Sequence, residues 1–258
     1  MIRTAFALLV FVLITLFCGG VVVAASLLGV TDTPGGVYDR MSHLWGRVLN
    51  WACGVTLVLH DAHHMDGYAP RVFIANHTSV IDIFSLIHVL PHQKFVAKSE
   101  LRRIPFFDMA ATAWGVVWIE RENHKSAMES YRRAAEAIRA GVSVAVFPEG
   151  TRGDEYGLRS FKKGPFVLAI EAGAPVVPVV VYGAREVQSR TRFTVHPGTV
   201  HVHFMPPIST AGLTYDDRAG VAHRTRDAMV ACLQREYGIT SPPSDRARTD
   251  IAPAPAPA

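Results

Sequence analysis

His77 and Asp82, five residues apart in Asn76-His77-Thr78-Ser79-Val80-Ile81-Asp82, are the residues of this chain best suited to proton transfer. A neutral imidazole can take a proton from an alcohol near pH 7. A carboxylate on its other ring nitrogen would fix the tautomer and stabilise the imidazolium, as in hydrolase triads. No Gly-x-Ser-x-Gly elbow occurs in the sequence. The expected nucleophile is therefore a hydroxyl of the substrate, without a covalent enzyme intermediate. A plainer reading competes: Ser79 to Asp82 is a capping-box-like pattern, with Asp in place of Glu, ahead of the helical run Ile83 to Leu90. That reading explains Ser79 and Asp82. It leaves unexplained why Asn76 and His77 end a buried strand, where open α/β sheets place ligand sites.

Two further stretches end in charge. In Phe147-Pro148-Glu149-Gly150-Thr151-Arg152, Gly150 permits an unusual backbone angle or close ligand approach. Arg152 can bind a phosphate through two parallel hydrogen bonds. Glu149 could orient that Arg or bind a ligand hydroxyl. Arg159, Lys162 and Lys163 add positive charge in the loop from Gly157 to Gly164, and an exposed turn with solvated charges is the alternative. Gly115-Val116-Val117-Trp118-Ile119-Glu120-Arg121 is a third strand-like run ending in an Arg.

These stretches need a sheet to bring them together. Strands are expected at Val72–Ala75, Lys94–Ala97, Val116–Ile119, Ser143–Phe147 and Val176–Val181, with helical segments between them. That alternation predicts an α/β fold: a mostly parallel mixed sheet flanked by helices. In a parallel sheet the three charged strand ends share one edge. Ser126 to Ala140 has one apolar face and a stop at Gly141. Tyr215 to Tyr237 is a further amphipathic helix, with Gly238 after it. Thr194 to Met205 reads as a hairpin turning at Pro197-Gly198, with His201 and His203 on one solvent-facing side.

Ahead of the sheet, Ala5 to Val30 carries no charged residue. As a helix it would exceed the roughly 30 Å hydrocarbon core, so it could span a membrane or lie tilted in it. A cleaved signal peptide ending near Val23-Ala24-Ala25 is the alternative. Leu44 to Leu59 is a second apolar segment, read as an interfacial helix with Trp45 and Trp51 at the boundary, or as an amphipathic helix docked on the core. His60-Asp61-Ala62-His63-His64 reads as a solvated or headgroup-facing loop, and no metal site is expected. Residues 1–60 thus form a membrane-associated helical element and 61–240 an α/β unit. The Pro/Ala-rich tail, 241–258, is expected to be disordered.

Composition narrows the partners. The net charge of +4 and pI of about 9.1 suit a membrane surface or a phosphorylated ligand. No Lys/Arg stripe with interleaved aromatics points to nucleic acid. Cys18, Cys53 and Cys232 are odd in number and far apart, which fits a reducing compartment.

On these motifs the chain resembles the 1-acyl-glycerol-3-phosphate acyltransferases, the lysophosphatidic acid acyltransferase branch of the glycerolipid acyltransferases. Asn76-His77-x4-Asp82 matches the family's first motif, and Gly115 through Ile119 to Arg121 the second. Phe147 to Arg152 matches the third, and Pro175-Val176-Val177-Pro178 the fourth. Lys98-Ser99-Glu100-Leu101, Ile104-Pro105-Phe106-Phe107 and Phe161-Lys162-Lys163-Gly164 also look familial. Asp108 departs from the pattern, since relatives commonly carry Gly after Pro-Phe-Phe, and so bears on acyl-chain or acceptor specificity. The resemblance implies acyl transfer from acyl-CoA or acyl-carrier protein to a lysophospholipid hydroxyl, most readily that of lysophosphatidic acid. His77 would be the general base and Asp82 its orienter. Arg121, Glu149, Gly150, Thr151, Arg152 and Lys162 would bind substrate, and Pro178 would pack near the donor. No cofactor beyond the acyl donor is called for. The family's two-helix N-terminal element implies a membrane enzyme, expected on the cytoplasmic face of the inner or plasma membrane. Another lyso-lipid acceptor, such as an ornithine lipid or glycolipid, and a catalytically silent membrane-binding relative are the competing readings.

Overall fold

The computed structural model describes residues 1–66, 69–120 and 124–243. Two helices open the chain. The uncharged apolar run becomes α1 (Ile2–Leu27), and α2 (Val37–Cys53) follows a turn. At Gly54, with φ at +74°, α2 closes in a left-handed turn that favours glycine. The β-branched run beyond it extends as β1 (Val55–His60). The segment expected as one helix from Leu44 to Leu59 is therefore a helix and a strand. The sheet takes in residues that composition had grouped with the N-terminal element.

The α/β alternation follows: β2 (Val72–Ala75), α3 (Val80–Val89), β3 (Gln93–Lys98), α4 (Pro105–Trp114), β4 (Val117–Ile119), α5 (His124–Arg139) and β5 (Ser143–Val146). Then come α6 (Gly164–Ala172), β6 (Val176–Tyr182), the short α7 (Ala184–Val187), β7 (Gly198–Phe204) and α8 (Arg218–Tyr237). Among the described residues the seven strands lie in the order β1-β7-β6-β2-β5-β3-β4. β7 runs antiparallel to β6, and the other pairings are parallel. The expected mostly parallel mixed α/β sheet is the one observed.

The hairpin expected between Thr194 and Met205 does not form. Its first half has other partners: Val195 N–H donates to Thr4 Oγ1 at 3.1 Å and His196 N–H to the Val187 carbonyl at 2.8 Å. The second half is the single strand β7, which accepts β1 on its far side. His201 and His203 do not face open solvent together; they stack against His60.

Both faces of the sheet are covered. Phe73 and Ala75 of β2 pack with residues of α1, α2 and α3. Val72 and Ile74 pack on the opposite side with α5, α6 and α8. This two-sided burial is why β2 reads as a continuous apolar run and not as an alternation. α1 lies against α2 and α4. The approach to α4 depends on Gly19, where a Cβ would sit 3.0 Å from the Ala110 methyl. The outward face of α1 exposes Leu8, Leu9, Val12, Leu13, Leu16 and Phe17. α1 is long and apolar enough to cross a membrane. Trp51 is exposed and packs on Phe6, whereas Trp45 turns inward and donates to Thr15 Oγ1 at 2.9 Å. The tail beyond residue 243 lies outside the described residues; before it, Ser241 accepts from Leu158 N–H and the Pro242 carbonyl accepts from Arg226.

Candidate active site

The turn after β2 is fixed from three sides. Asn76 donates to the Val181 carbonyl at 2.9 Å and accepts from Val181 N–H at 2.8 Å. Its amide thus continues the β2–β6 ladder one residue past the strand, which accounts for the Asn beside the His. Ser79 is the N-cap of α3, accepting from Ile81 N–H, and it forms a capping box with Asp82. Its hydroxyl donates to the Gln188 carbonyl at 2.6 Å.

Asp82 is fully buried. Its Oδ2 accepts from Thr78 N–H at 2.7 Å and Ser79 N–H at 2.8 Å, and lies 3.0 Å from His77 Nδ1. A carboxylate oxygen in that position accepts from Nδ1–H. This hydrogen-bond network assigns the tautomer, and Nε2 is left as the proton acceptor. The imidazole stacks on Phe147, with centroids 4.0 Å apart, which sets its plane. The capping and orienting roles of Asp82 thus coexist on one oxygen.

The third motif lies beside the first because β5 neighbours β2. Gly150 takes φ of +81°, a turn that suits glycine. Glu149, expected among the substrate-binding residues, has a buried carboxylate turned inward. Oε1 accepts from His77 N–H at 3.1 Å, and Oε2 pairs with Arg159 at 3.3 Å. Burial raises its pKa, against the opposing pull of His77 N–H and Arg159. Arg159 also donates to the Thr151 carbonyl, and Gly153 N–H donates to the His77 carbonyl at 2.7 Å. Glu149 and Arg159 therefore rivet the third motif to the turn that carries the histidine. The sequence marked Arg159 only as one more charge in a loop, since its partner lies ten residues back across a fold in the chain.

A cavity of about 890 Å³ opens in front of His77. Apolar side chains of the N-terminal helices, α3, β3 and α4 line it, among them Val22, Met41, Ile83, Ile87, Phe95 and Trp114. Gly150, Thr151, Arg152 and Lys162 of the expected set line it too, together with the cations Lys98, Lys163, Arg190 and Arg218. Arg190 and Arg218 belong to no motif: Arg190 lies in the loop after α7 and Arg218 opens α8, both far in sequence from His77. Arg121 lies outside the described residues; Ile119, two positions earlier, lines the cavity. Pro178 is buried within β6 in register with Ile74 and does not line the cavity. Among the described residues no group of three or more His, Cys, Asp or Glu is arranged to hold a metal.

A buried carboxylate–histidine pair thus follows a strand of the parallel part of the α/β sheet and faces a cavity lined by apolar and cationic side chains. A family model described as Acyltransferase matches residues 57–182. The chain is 34% identical over 185 residues to mouse 1-acyl-sn-glycerol-3-phosphate acyltransferase alpha, covering 70% of this chain and 65% of that protein. It is 30% identical over 234 residues to the human beta enzyme of the same name, covering 87% and 84%. The chain belongs to the 1-acyl-glycerol-3-phosphate acyltransferase family. It spans just under two thirds of the length of the mouse relative. In fold it is similar to the crystal structure of the 1-acyl-sn-glycerophosphate (LPA) acyltransferase PlsC from Thermotoga maritima. The TM-score is 0.75 at 24% identity, over 93% of this chain and 99% of that one.

Proposed function

We propose that the protein transfers an acyl chain from a thioester donor, acyl-CoA or acyl-carrier protein, to the sn-2 hydroxyl of 1-acyl-glycerol-3-phosphate, yielding phosphatidic acid. One observation carries this reading: the His77–Asp82 pair opens onto a cavity lined by both apolar and cationic side chains. His77 Nε2 takes the hydroxyl proton as the oxygen bonds to the thioester carbonyl carbon. The C–S bond then breaks, and the leaving thiolate takes that proton from His77. Asp82 Oδ2 holds the ring and stabilises the imidazolium in between. The apolar lining receives acyl chain, and Arg152 and Lys162 hold the acceptor phosphate, with Arg121 as the expected third cation. The names carried by relatives support the acceptor, and the intact pair speaks against a silent relative.

The outward apolar face of α1 and Trp51 enters the lipid, bringing the cavity to its lipid substrates at the cytoplasmic face. The test is a transfer assay on the purified full chain in detergent or liposomes, with acyl-CoA and lysophosphatidic acid, then phosphate-free lyso-lipids. Transfer to lysophosphatidic acid is expected to be fastest, and no transfer to any acceptor would overturn the reading. Arg152→Ala should raise KM for lysophosphatidic acid about tenfold and leave phosphate-free acceptors unchanged. Equal losses on both would remove Arg152 from phosphate binding.

A further inference from the structure

A second groove, of about 500 Å³, lies beside the catalytic cavity, between residues 153–154 and the stretch from α7 to His196. Arg190 lines both spaces. Its guanidinium donates to the Arg152 carbonyl at 3.1 Å and pairs with Asp154 at 3.4 Å, so the groove opens directly off the cationic rim. Arg185, Arg192 and His196 line it further, against Asp154 and Glu186 as the acidic members. Both acids are engaged: Asp154 by Arg190, and Glu186 by the Tyr156 hydroxyl at 2.5 Å. The guanidinium groups of Arg185 and Arg192 have no acidic partner among the described residues.

The groove wall is built. The Gln188 amide clamps its loop by donating to the Ser189 carbonyl at 2.6 Å and the Arg192 carbonyl at 3.0 Å. Arg192 N–H donates to Ser189 Oγ at 3.1 Å. The same Gln188 accepts through its backbone carbonyl from Ser79, the cap of the helix that carries Asp82. The backbone that carries Arg192 is thus tied to the catalytic turn.

Direct transfer needs two anionic substrates bound at once. Two phosphate groups on one set of cations would repel each other and compete. The Arg152–Lys162 end serves one of them. We infer that the groove lined by Arg185, Arg190 and Arg192 binds the phosphopantetheine phosphate of the thioester donor, a group that acyl-CoA and acyl-carrier protein share. The inference rests on the proposed acyl transfer and assigns the donor head a subsite separate from that of the acceptor phosphate.

The test uses the full chain in detergent, with Arg185→Gln/Arg192→Gln and the charge reversal Arg185→Glu/Arg192→Glu. Folding is checked by thermal melting, and the milder Gln pair stands in if the reversal melts early. Donor KM is expected to rise about tenfold for acyl-CoA and for acyl-phosphopantetheine, with acceptor KM and kcat within about twofold. Wild type and variant should converge on acyl-pantetheine, which lacks the phosphate. A matching loss with acyl-carrier protein would show the shared phosphate at work. A loss confined to acyl-CoA would overturn the shared-phosphate assignment in favour of the nucleotide part. Equal loss on acyl-pantetheine, a raised acceptor KM, or an unchanged donor KM with weaker binding to phosphatidylglycerol vesicles would each overturn the inference. Calorimetry with CoA alone separates the two proposals. Weaker CoA binding by the variant, with no turnover by wild type, would sink the acyl-transfer reading and leave the subsite standing. Unchanged CoA binding beside normal turnover would do the reverse.

Discussion

Two histidine sites lie on the same sheet, and they differ in what each ring meets. His77 lies in the turn after β2, with a buried carboxylate behind Nδ1 and the cavity before the ring. His60, His201 and His203 stand across the β1–β7 pair. The His60 and His203 rings stack 4.0 Å apart, and His60 Nε2 lies 3.0 Å from His201 Nδ1. His203 Nε2 is 2.6 Å from the Tyr237 hydroxyl. These imidazoles contact one another and a tyrosine hydroxyl, and no carboxylate is hydrogen-bonded to them among the described residues; the pull of Glu236 on His203 is smaller than burial and His60. Burial first, and then His60, depress the pKa of His203 to about 4. What distinguishes the clusters is therefore not the imidazole. It is the group on the second nitrogen and the space at the first.

The comparison is easiest to break at His77. His77→Ala should cut turnover by roughly 10³–10⁴ while the melting temperature stays within a few degrees. Unchanged turnover in the folded variant would end the general-base assignment. Asp82→Asn should lose roughly 10²–10³, because the amide no longer enforces the Nδ1–H tautomer. A loss below tenfold would make Asp82 a helix cap alone. Arg159→Ala should cost about ten- to a hundredfold in kcat/KM by freeing Glu149 and the third motif, without touching the reacting atoms. Full activity would show that the rivet is dispensable.

The smallest catalytic effect belongs to the other cluster. His203→Asn should leave kcat/KM within about twofold and act on stability. With a folded pKa of about 4, against about 6.5 for a free histidine, the folded protein binds fewer protons than the unfolded chain between those values. Stability therefore falls as pH drops from about 6.5 to about 4, and this group adds no slope below that. The variant should lose that part of the slope, read as melting temperature against pH. A large loss of activity at constant stability would instead make the stack part of the working site.

Much of the site is local in sequence, and that part was legible. The capping box, the His–Asp spacing and the glycine turn at Gly150 are set within a few residues by backbone geometry and side-chain reach. The strands of the parallel part announced themselves as apolar runs because both faces are buried. The edge was harder. β1 looked like the end of a helix, since an edge strand beside a helix carries no period of its own until Gly54 breaks it. The hairpin failed because Val195 and His196 found partners far away in sequence, in Thr4 and Val187.

By itself, the sequence determined the α/β alternation, the long apolar N-terminal helix, and the residues able to move a proton or hold a phosphate. Those follow from local periodicity, spacing and side-chain chemistry. Only the tertiary structure decided what each residue faces. It turned Glu149 inward to His77 N–H and Arg159, brought Arg190 and Arg218 to the cavity rim, and drew three histidines into a stack. The physical reason is that partnership across a sheet depends on strand order and loop path, which join residues such as Ser79 and Gln188 that are 109 positions apart.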